Sequence, residues 1–251
     1  MCGRYELHSQ PAAIALAFGL DRVPDMRPRY NIAPTTDVPI VRINPAGHRE
    51  LTHMRWGLVP RWAKDIAIGT KMINARGETI AEKPSFRTAY RRHRCLLPAD
   101  GFYEWLALGP GATPGTPPRK QPMHIGMKDG ALFGLGGLYE RWRSPDGEVL
   151  DSCTIVTTEA NTLLKRVHER MPLIVAPADY ARWLNPAVTD VPDLIAPYSP
   201  AAMAYYPIST KVNNVQHDDA TLIAEVAPQP QVREQPPDDE HPAPPEQESL
   251  F

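Results

Sequence analysis

Apolar and polar positions alternate over several short stretches of the chain. Residues 38–43, 50–56, 95–97, 102–106, 123–127, 132–139 and 150–157 carry the two-residue period or compact apolar run of a β-strand. Helical spacing is found over residues 9–19, where Ser9 suits an N-cap and Pro11 a first turn. It recurs over 76–92, interrupted at Pro84, over 159–167, and over 177–184, where Pro177 suits a first turn. Many short strands with a few helices predict an α+β domain with curled, barrel-like antiparallel sheets. Residues 109–122 are rich in glycine and proline between two strand candidates, which reads as a long hairpin loop.

The pattern stops near residue 227. Beyond it come seven prolines, many acids and few apolar residues, a composition that cannot bury a core. The expectation is one domain over 1–226 and a disordered tail over 227–251. Net charge divides at the same place. Arg233 against Glu234, Asp238, Asp239, Glu240, Glu246 and Glu248 leaves the tail at −5. The whole chain carries −2, so residues 1–226 carry +3. A mildly basic body is compatible with a nucleic-acid partner.

Cys2, Cys95 and Cys153 are the three cysteines, an odd number without paired spacing. That argues for a reducing, cytoplasmic setting and against a disulfide framework or a metal site. Cys95 and Cys153 lie in apolar strand patterns and are expected to be buried structural thiols. The run 12–20 could serve as a signal-peptide core, but Glu6 before it and the capping residues favour a helix. No apolar run approaches the roughly 18 residues of a membrane helix, so no membrane partner is expected.

Cys2 directly follows Met1, and cysteine is small enough for Met1 to be removed. The mature residue would carry an α-amine with a pKa near ~7.7–8.0 beside a thiol near ~8.5. Such a pair can capture an aldehyde: the amine forms a Schiff base and the thiol closes a five-membered thiazolidine. Alternatively, the thiol attacks a carbonyl with the amine as base.

Six blocks surround this terminus in order: Met1-Cys2-Gly3-Arg4-Tyr5, Tyr30-Asn31-Ile32-Ala33-Pro34-Thr35, Arg55 through Asp65, Asn74-Ala75-Arg76-Gly77-Glu78-Thr79, Arg94 through Trp105, and His168-Glu169-Arg170-Met171-Pro172. Together they resemble the SRAP family, the SOS-response-associated peptidase domains, from residue 1 to about 220. The resemblance implies a sensor of abasic sites in single-stranded DNA. It would crosslink the ring-opened sugar through Cys2, without a cofactor, and shield the lesion from strand cleavage. It also implies a proposed peptidase activity, including removal of Met1.

On that resemblance Cys2, Asn74, Glu104 and His168 form the catalytic set. Asn74 would bond the sugar or orient the amine. Glu104, flanked by aromatics on a strand, would be desolvated enough to shuttle protons near neutrality. His168 would be the acid–base group for opening the sugar ring. Arg4, Arg76 and Arg170 are candidate phosphate forks, with Thr157 in support. Trp56 and Trp62 are candidate stacking residues. For Trp56, on a strand, core packing is the stronger expectation, which leaves Trp62 the better wedge. Arg87, Arg91, Arg92, His93 and Arg94 read as a basic helix end, either in a DNA groove or a solvated face.

The closing residues Gln247-Glu248-Ser249-Leu250-Phe251 resemble the bacterial sliding-clamp-binding pentapeptide, with a departure at the second position. Gln247, Leu250 and Phe251 would bind the clamp, on a proline-rich linker reaching roughly 60 Å. A monomer is expected. The competing readings are an N-terminal-cysteine peptidase or amidohydrolase, a non-covalent single-strand binder, and strand cleavage by β-elimination from the Schiff base. The Met-Cys-Gly opening also resembles class II glutamine amidotransferases, but the later blocks do not.

Overall fold

The computed structural model describes residues 2–109 and 119–230. Its strands are β1 (Tyr5–Leu7), β2 (Arg29–Ile32), β3 (Asp37–Ile43), β4 (Arg49–Trp56), β5 (Asn74–Arg76), β6 (Arg94–Ala99), β7 (Gly101–Ala107), β8 (Lys120–Met127), β9 (Phe133–Arg143), β10 (Val149–Glu159), β11 (Arg170–Pro172), β12 (Ile174–Val175) and β13 (Met203–Pro207). The helices are α1 (Pro11–Phe18), α2 (Arg87–Arg92) and α3 (Tyr180–Leu184).

Strands β10, β4, β3, β6 and β9 close into a five-stranded barrel, because β9 pairs back onto β10. Closure removes the open edges that a short, strongly curled sheet would otherwise expose. Four of the five seams are antiparallel; the fifth, β4 against β10, is parallel, with Cys153 opposite Trp56. The barrel wall is tight at Gly137, where a Cβ would meet the Thr154 carbonyl oxygen at 2.9 Å and the Leu97 side chain at 2.5 Å. A second sheet runs β13-β8-β7-β1-β2. The main core joins both sheets: Tyr5 and Phe102 from the second pack with Trp56, Cys95, Leu96, Cys153 and Ile155 from the barrel. The α+β, barrel-like architecture read from the sequence is the observed one. No helix among the described residues is long and apolar enough to cross a membrane.

Four local expectations are corrected. Residues 76–92 are not mostly helical: Asn74–Arg76 pairs with β10, a 3-10 turn covers Gly77–Thr79, and only Arg87–Arg92 is α-helical. Residues 159–167 hold only a 3-10 turn at Leu164–Arg166. There Ala160 donates its N–H to the Glu169 carbonyl, and the Asn161 side chain accepts from Leu164 N–H, turning the chain back into β11. Ser9 does not cap α1; Gln10 holds that position, while Ser9 N–H donates to Asp100 Oδ2 at 2.8 Å. Arg94 does not lie on a solvated face. It is 3% exposed, and its guanidinium donates to the carbonyls of Tyr90, Trp183, Asn185 and Val188.

Strands β7 and β8 form the expected hairpin, and Leu108 N–H still bonds the Arg119 carbonyl at 2.8 Å. Beyond β13 the chain lays Ile208, Val212 and Leu222 over Tyr103. Its contacts with the body continue to Gln229, whose N–H bonds Gln121 Oε1 at 3.1 Å. The pentapeptide residues Gln247, Leu250 and Phe251 lie outside the described residues.

Candidate active site

Cys2 lies where the two sheets meet. Arg4, just before β1, accepts the Tyr103 N–H from β7 at 3.0 Å, which fixes the N-terminal segment against that strand. The Cys2 side chain is fully buried, with its Sγ 3.9 Å from the Arg4 carbonyl oxygen. From the barrel side, Asn74 on β5 donates its Nδ2–H to the Cys2 carbonyl at 2.9 Å. Its Oδ1 is buried and has no hydrogen-bond partner among the described residues, leaving an acceptor beside the cysteine backbone.

Burial pushes the Cys2 thiol far above its ordinary range, and the nearby Glu104 carboxylate pushes the same way. Glu104, on β7, is 4% exposed, and burial raises its pKa. His168 opposes that rise electrostatically. Three of the expected residues, Cys2, Glu104 and His168, therefore form one electrostatically coupled group, with Asn74 touching its backbone. His168 is half-buried, and its Nδ1 accepts the Arg170 N–H at 2.9 Å. In the neutral ring this leaves the proton on Nε2.

Register brings the remaining candidates alongside. Strand β10 pairs with β5 on one side, Thr157 opposite Arg76, and with β11 on the other, Glu159 opposite Arg170. The guanidinium of Arg170 is held by Thr157, whose carbonyl accepts from Nη2 at 2.7 Å, and bidentately by Glu78 at 2.9 and 3.0 Å. Arg76 is exposed and lines a groove of about 550 Å³ with Glu159, Lys165, Glu169 and Arg170. Arg4 is half-buried, and its Nη1 donates to Asn31 Oδ1 at 2.7 Å and the Val212 carbonyl at 2.8 Å. This arginine ties the N-terminal segment to the 210–218 segment, so much of its fork is occupied within the fold.

The two tryptophans separate. Trp62 is 57% exposed. Trp56 is fully buried, edge-on to Tyr5 at 5.5 Å, and donates its indole N–H to the Ile73 carbonyl at 2.8 Å. A buried ring offers no face to a base, so Trp56 is corrected from a candidate stacking residue to a core support immediately before Asn74. Cys95 and Cys153 are buried free thiols within the core. Among the described residues, no group of three or more His, Cys, Asp or Glu side chains is arranged to hold a metal ion.

Comparison with known sequences bears directly on this arrangement. The SOS response associated peptidase (SRAP) family profile matches residues 1–215. The chain belongs to the SRAP family. Abasic site processing protein YoqW of Bacillus subtilis (strain 168) is 43% identical over 230 residues, covering 89% of this SRAP chain and 99% of that protein. Abasic site processing protein HMCES of Gallus gallus is 32% identical over 217 residues, covering 76% of this chain and 64% of that one. A crystal structure of a protein from Bacteroides thetaiotaomicron superposes with a TM-score of 0.78 at 27% identity, covering 90% of this chain and all of that chain.

Proposed function

We propose that this SRAP protein senses abasic sites in single-stranded DNA and captures them covalently through Cys2. Removal of Met1 supplies the free α-amine. The observation that carries the reading is the grouping at Cys2: its carbonyl held by Asn74 at 2.9 Å, its thiol beside a buried Glu104.

His168 promotes opening of the abasic sugar to its aldehyde by proton transfer at the ring oxygen. The Cys2 amine adds to the aldehyde carbon, and the carbinolamine loses water to give a Schiff base. Glu104, kept protonated more readily by burial, donates the proton with which the hydroxyl leaves. The thiol then adds across the C=N bond, its sulfur to carbon and its proton, by way of Glu104, to nitrogen. The product is a thiazolidine and one water, with no change of oxidation state.

The order is supported by the thiol itself. A buried, neutral thiol is a weak first nucleophile, so the amine starts the reaction and the thiol closes a ring already tethered to it. The same property weighs against a thiol-first attack on an amide, the step that a cysteine peptidase needs. Exposed Arg76 is assigned to phosphates, Thr157 and Glu78 to holding Arg170 in place beside it, Arg4 to the N-terminal segment, and Trp62 to stacking beside the lesion.

The test is intact-protein mass spectrometry after incubation with a single-stranded oligonucleotide carrying one abasic site. The expected result is loss of Met1 and a covalent mass increase that maps to Cys2. Cys2→Ser should lose the heat-resistant adduct, because a hydroxyl is a poorer trap for the Schiff base. Equal adduct from wild type and Cys2→Ser rejects the thiazolidine. A mature Cys2 terminus with no adduct returns the amide-hydrolase reading.

A further inference from the structure

The 57–65 loop between β4 and β5 carries Trp62, and the fold fastens this loop on both sides of that residue. At its stem, Gly57 has φ +133, and a Cβ there would lie 2.7 Å from the Gly69 carbonyl oxygen, so the two ends of the excursion cross backbone to backbone. Val59 N–H donates to the buried Ser152 hydroxyl at 2.8 Å. Arg61 donates its Nε–H to Glu140 Oε1 at 2.8 Å, and the Glu140 side chain is only 5% exposed. Ala63 accepts the Trp142 indole N–H on its carbonyl at 2.7 Å. Val59, Ala63 and Trp142 pack together as a small buried cluster of their own.

Residues 61 and 63 are thus both tied to β9, while Trp62 between them is 57% exposed and makes no hydrogen bond or ring contact among the described residues. A loop held only for stability gains most by burying its largest apolar side chain. Here the neighbours are anchored and the indole is held out.

We infer that Trp142 and Glu140 are positioning residues for DNA capture: they hold the loop so that Trp62 is presented to the strand. Neither belongs to the group around Cys2. The inference rests on the assignment of Trp62 as a DNA contact made above. Prior ordering of the loop spares the bound complex the cost of fixing it, so loss of an anchor weakens engagement with DNA and leaves the chemistry at Cys2 alone.

The experiment compares Trp62→Ala, Trp142→Phe, Glu140→Gln and the Trp62→Ala/Trp142→Phe double variant in the full chain. Capture rates are measured against concentration of an abasic oligonucleotide, and separately with free 2-deoxyribose, which has the aldehyde but no strand. Trp142→Phe keeps the aromatic packing and removes the N–H. It should raise the half-saturating oligonucleotide concentration about 3–10-fold, the range of one lost hydrogen bond, with the limiting rate and the 2-deoxyribose reaction unchanged. Glu140→Gln should move in the same direction. The double variant should be no worse than Trp62→Ala, because the anchor acts through that ring. Wild-type behaviour of both anchor variants beside an impaired Trp62→Ala overturns the inference while the Trp62 assignment stands. An unimpaired Trp62→Ala overturns both. Equal losses with oligonucleotide and 2-deoxyribose in Trp142→Phe overturn the positioning role and make Trp142 merely structural.

Discussion

Glu6 and Glu104 are both buried carboxylates, 1% and 4% exposed, on adjacent strands of the same sheet. Their acidities move in opposite directions. Burial works to raise both. For Glu6 it is overridden by hydrogen bonds from His124 and His8, with His124 Nε2 only 2.7 Å from Glu6 Oε1, and the net shift is downward. Tyr103 Oη lies 2.8 Å from the other oxygen. For Glu104 burial prevails, and the net shift is upward. Successive residues of a strand point to opposite faces, so Tyr103 serves the first carboxylate while its neighbour Glu104 faces Cys2. The same solvent exclusion thus leaves a stabilised anion on one face and a carboxyl of raised pKa on the other.

The largest expected effect separates the two by chemistry. Glu104→Gln should lower the capture rate by about 10²-fold, the lower range for loss of a general acid–base group, with little change in affinity for single-stranded DNA. Because a raised carboxyl pKa penalises the charged form in the folded state, the same variant should raise the melting temperature at neutral pH. Matching drops in rate and affinity would assign Glu104 to binding instead.

Glu6→Gln should do the reverse. It removes a charged acceptor from two buried donors and should cost about 3 kcal/mol of stability, with capture per folded molecule unchanged. The pH dependences differ in sign. The folded pKa of Glu6 is depressed, so its contribution is present above the ordinary carboxylate value of ~4.3 and is lost as pH falls through the folded value. The folded pKa of Glu104 is raised, so its contribution is full below ~4.3 and is lost as pH rises through the folded value. Denaturant melts from pH 3 to 8 should show each variant flattening a different limb, by at most about 1.4 kcal/mol per pH unit. One limb responding to both variants would dissolve the contrast.

The contrast also marks what a linear reading reaches. Glu104 was legible because it sits in a motif block beside aromatics on a well-patterned strand. Glu6 carries no such signal, because its partners Tyr103 and His124 lie 97 and 118 residues away. Strands of six residues or more left their alternation in the sequence. Strands β1, β5, β11 and β12 have three residues or fewer, too short for any period, and they carry or adjoin Glu6, Asn74 and His168. Arg94 looked like a surface charge within a basic run. Only folding collects the four carbonyls that bury it, three of them from residues 183–188. Asn74 was readable as a motif residue, whereas its target, the Cys2 carbonyl, is a product of β5 pairing with β10.

Tyr103→Phe probes the boundary between the two faces and carries the smallest effect. The phenol oxygen lies 2.8 Å from Glu6 Oε2 and 2.7 Å from the Tyr30 carbonyl, two acceptors for one proton. Burial and the Glu6 carboxylate push the phenol upward, so it stays neutral and remains a donor. Phenylalanine keeps the edge contact with the His124 ring at 5.9 Å and loses that one proton. The cost should be about 1–2 kcal/mol, one hydrogen bond plus part of an unmet acceptor. Capture should be unaffected, since β7 keeps its backbone bond from Tyr103 N–H to the Arg4 carbonyl and Glu104 keeps its place. A capture rate that instead fell alongside Glu104→Gln would mean that the Glu6 face sets the position of Glu104, and the two carboxylates would have to be treated as one system.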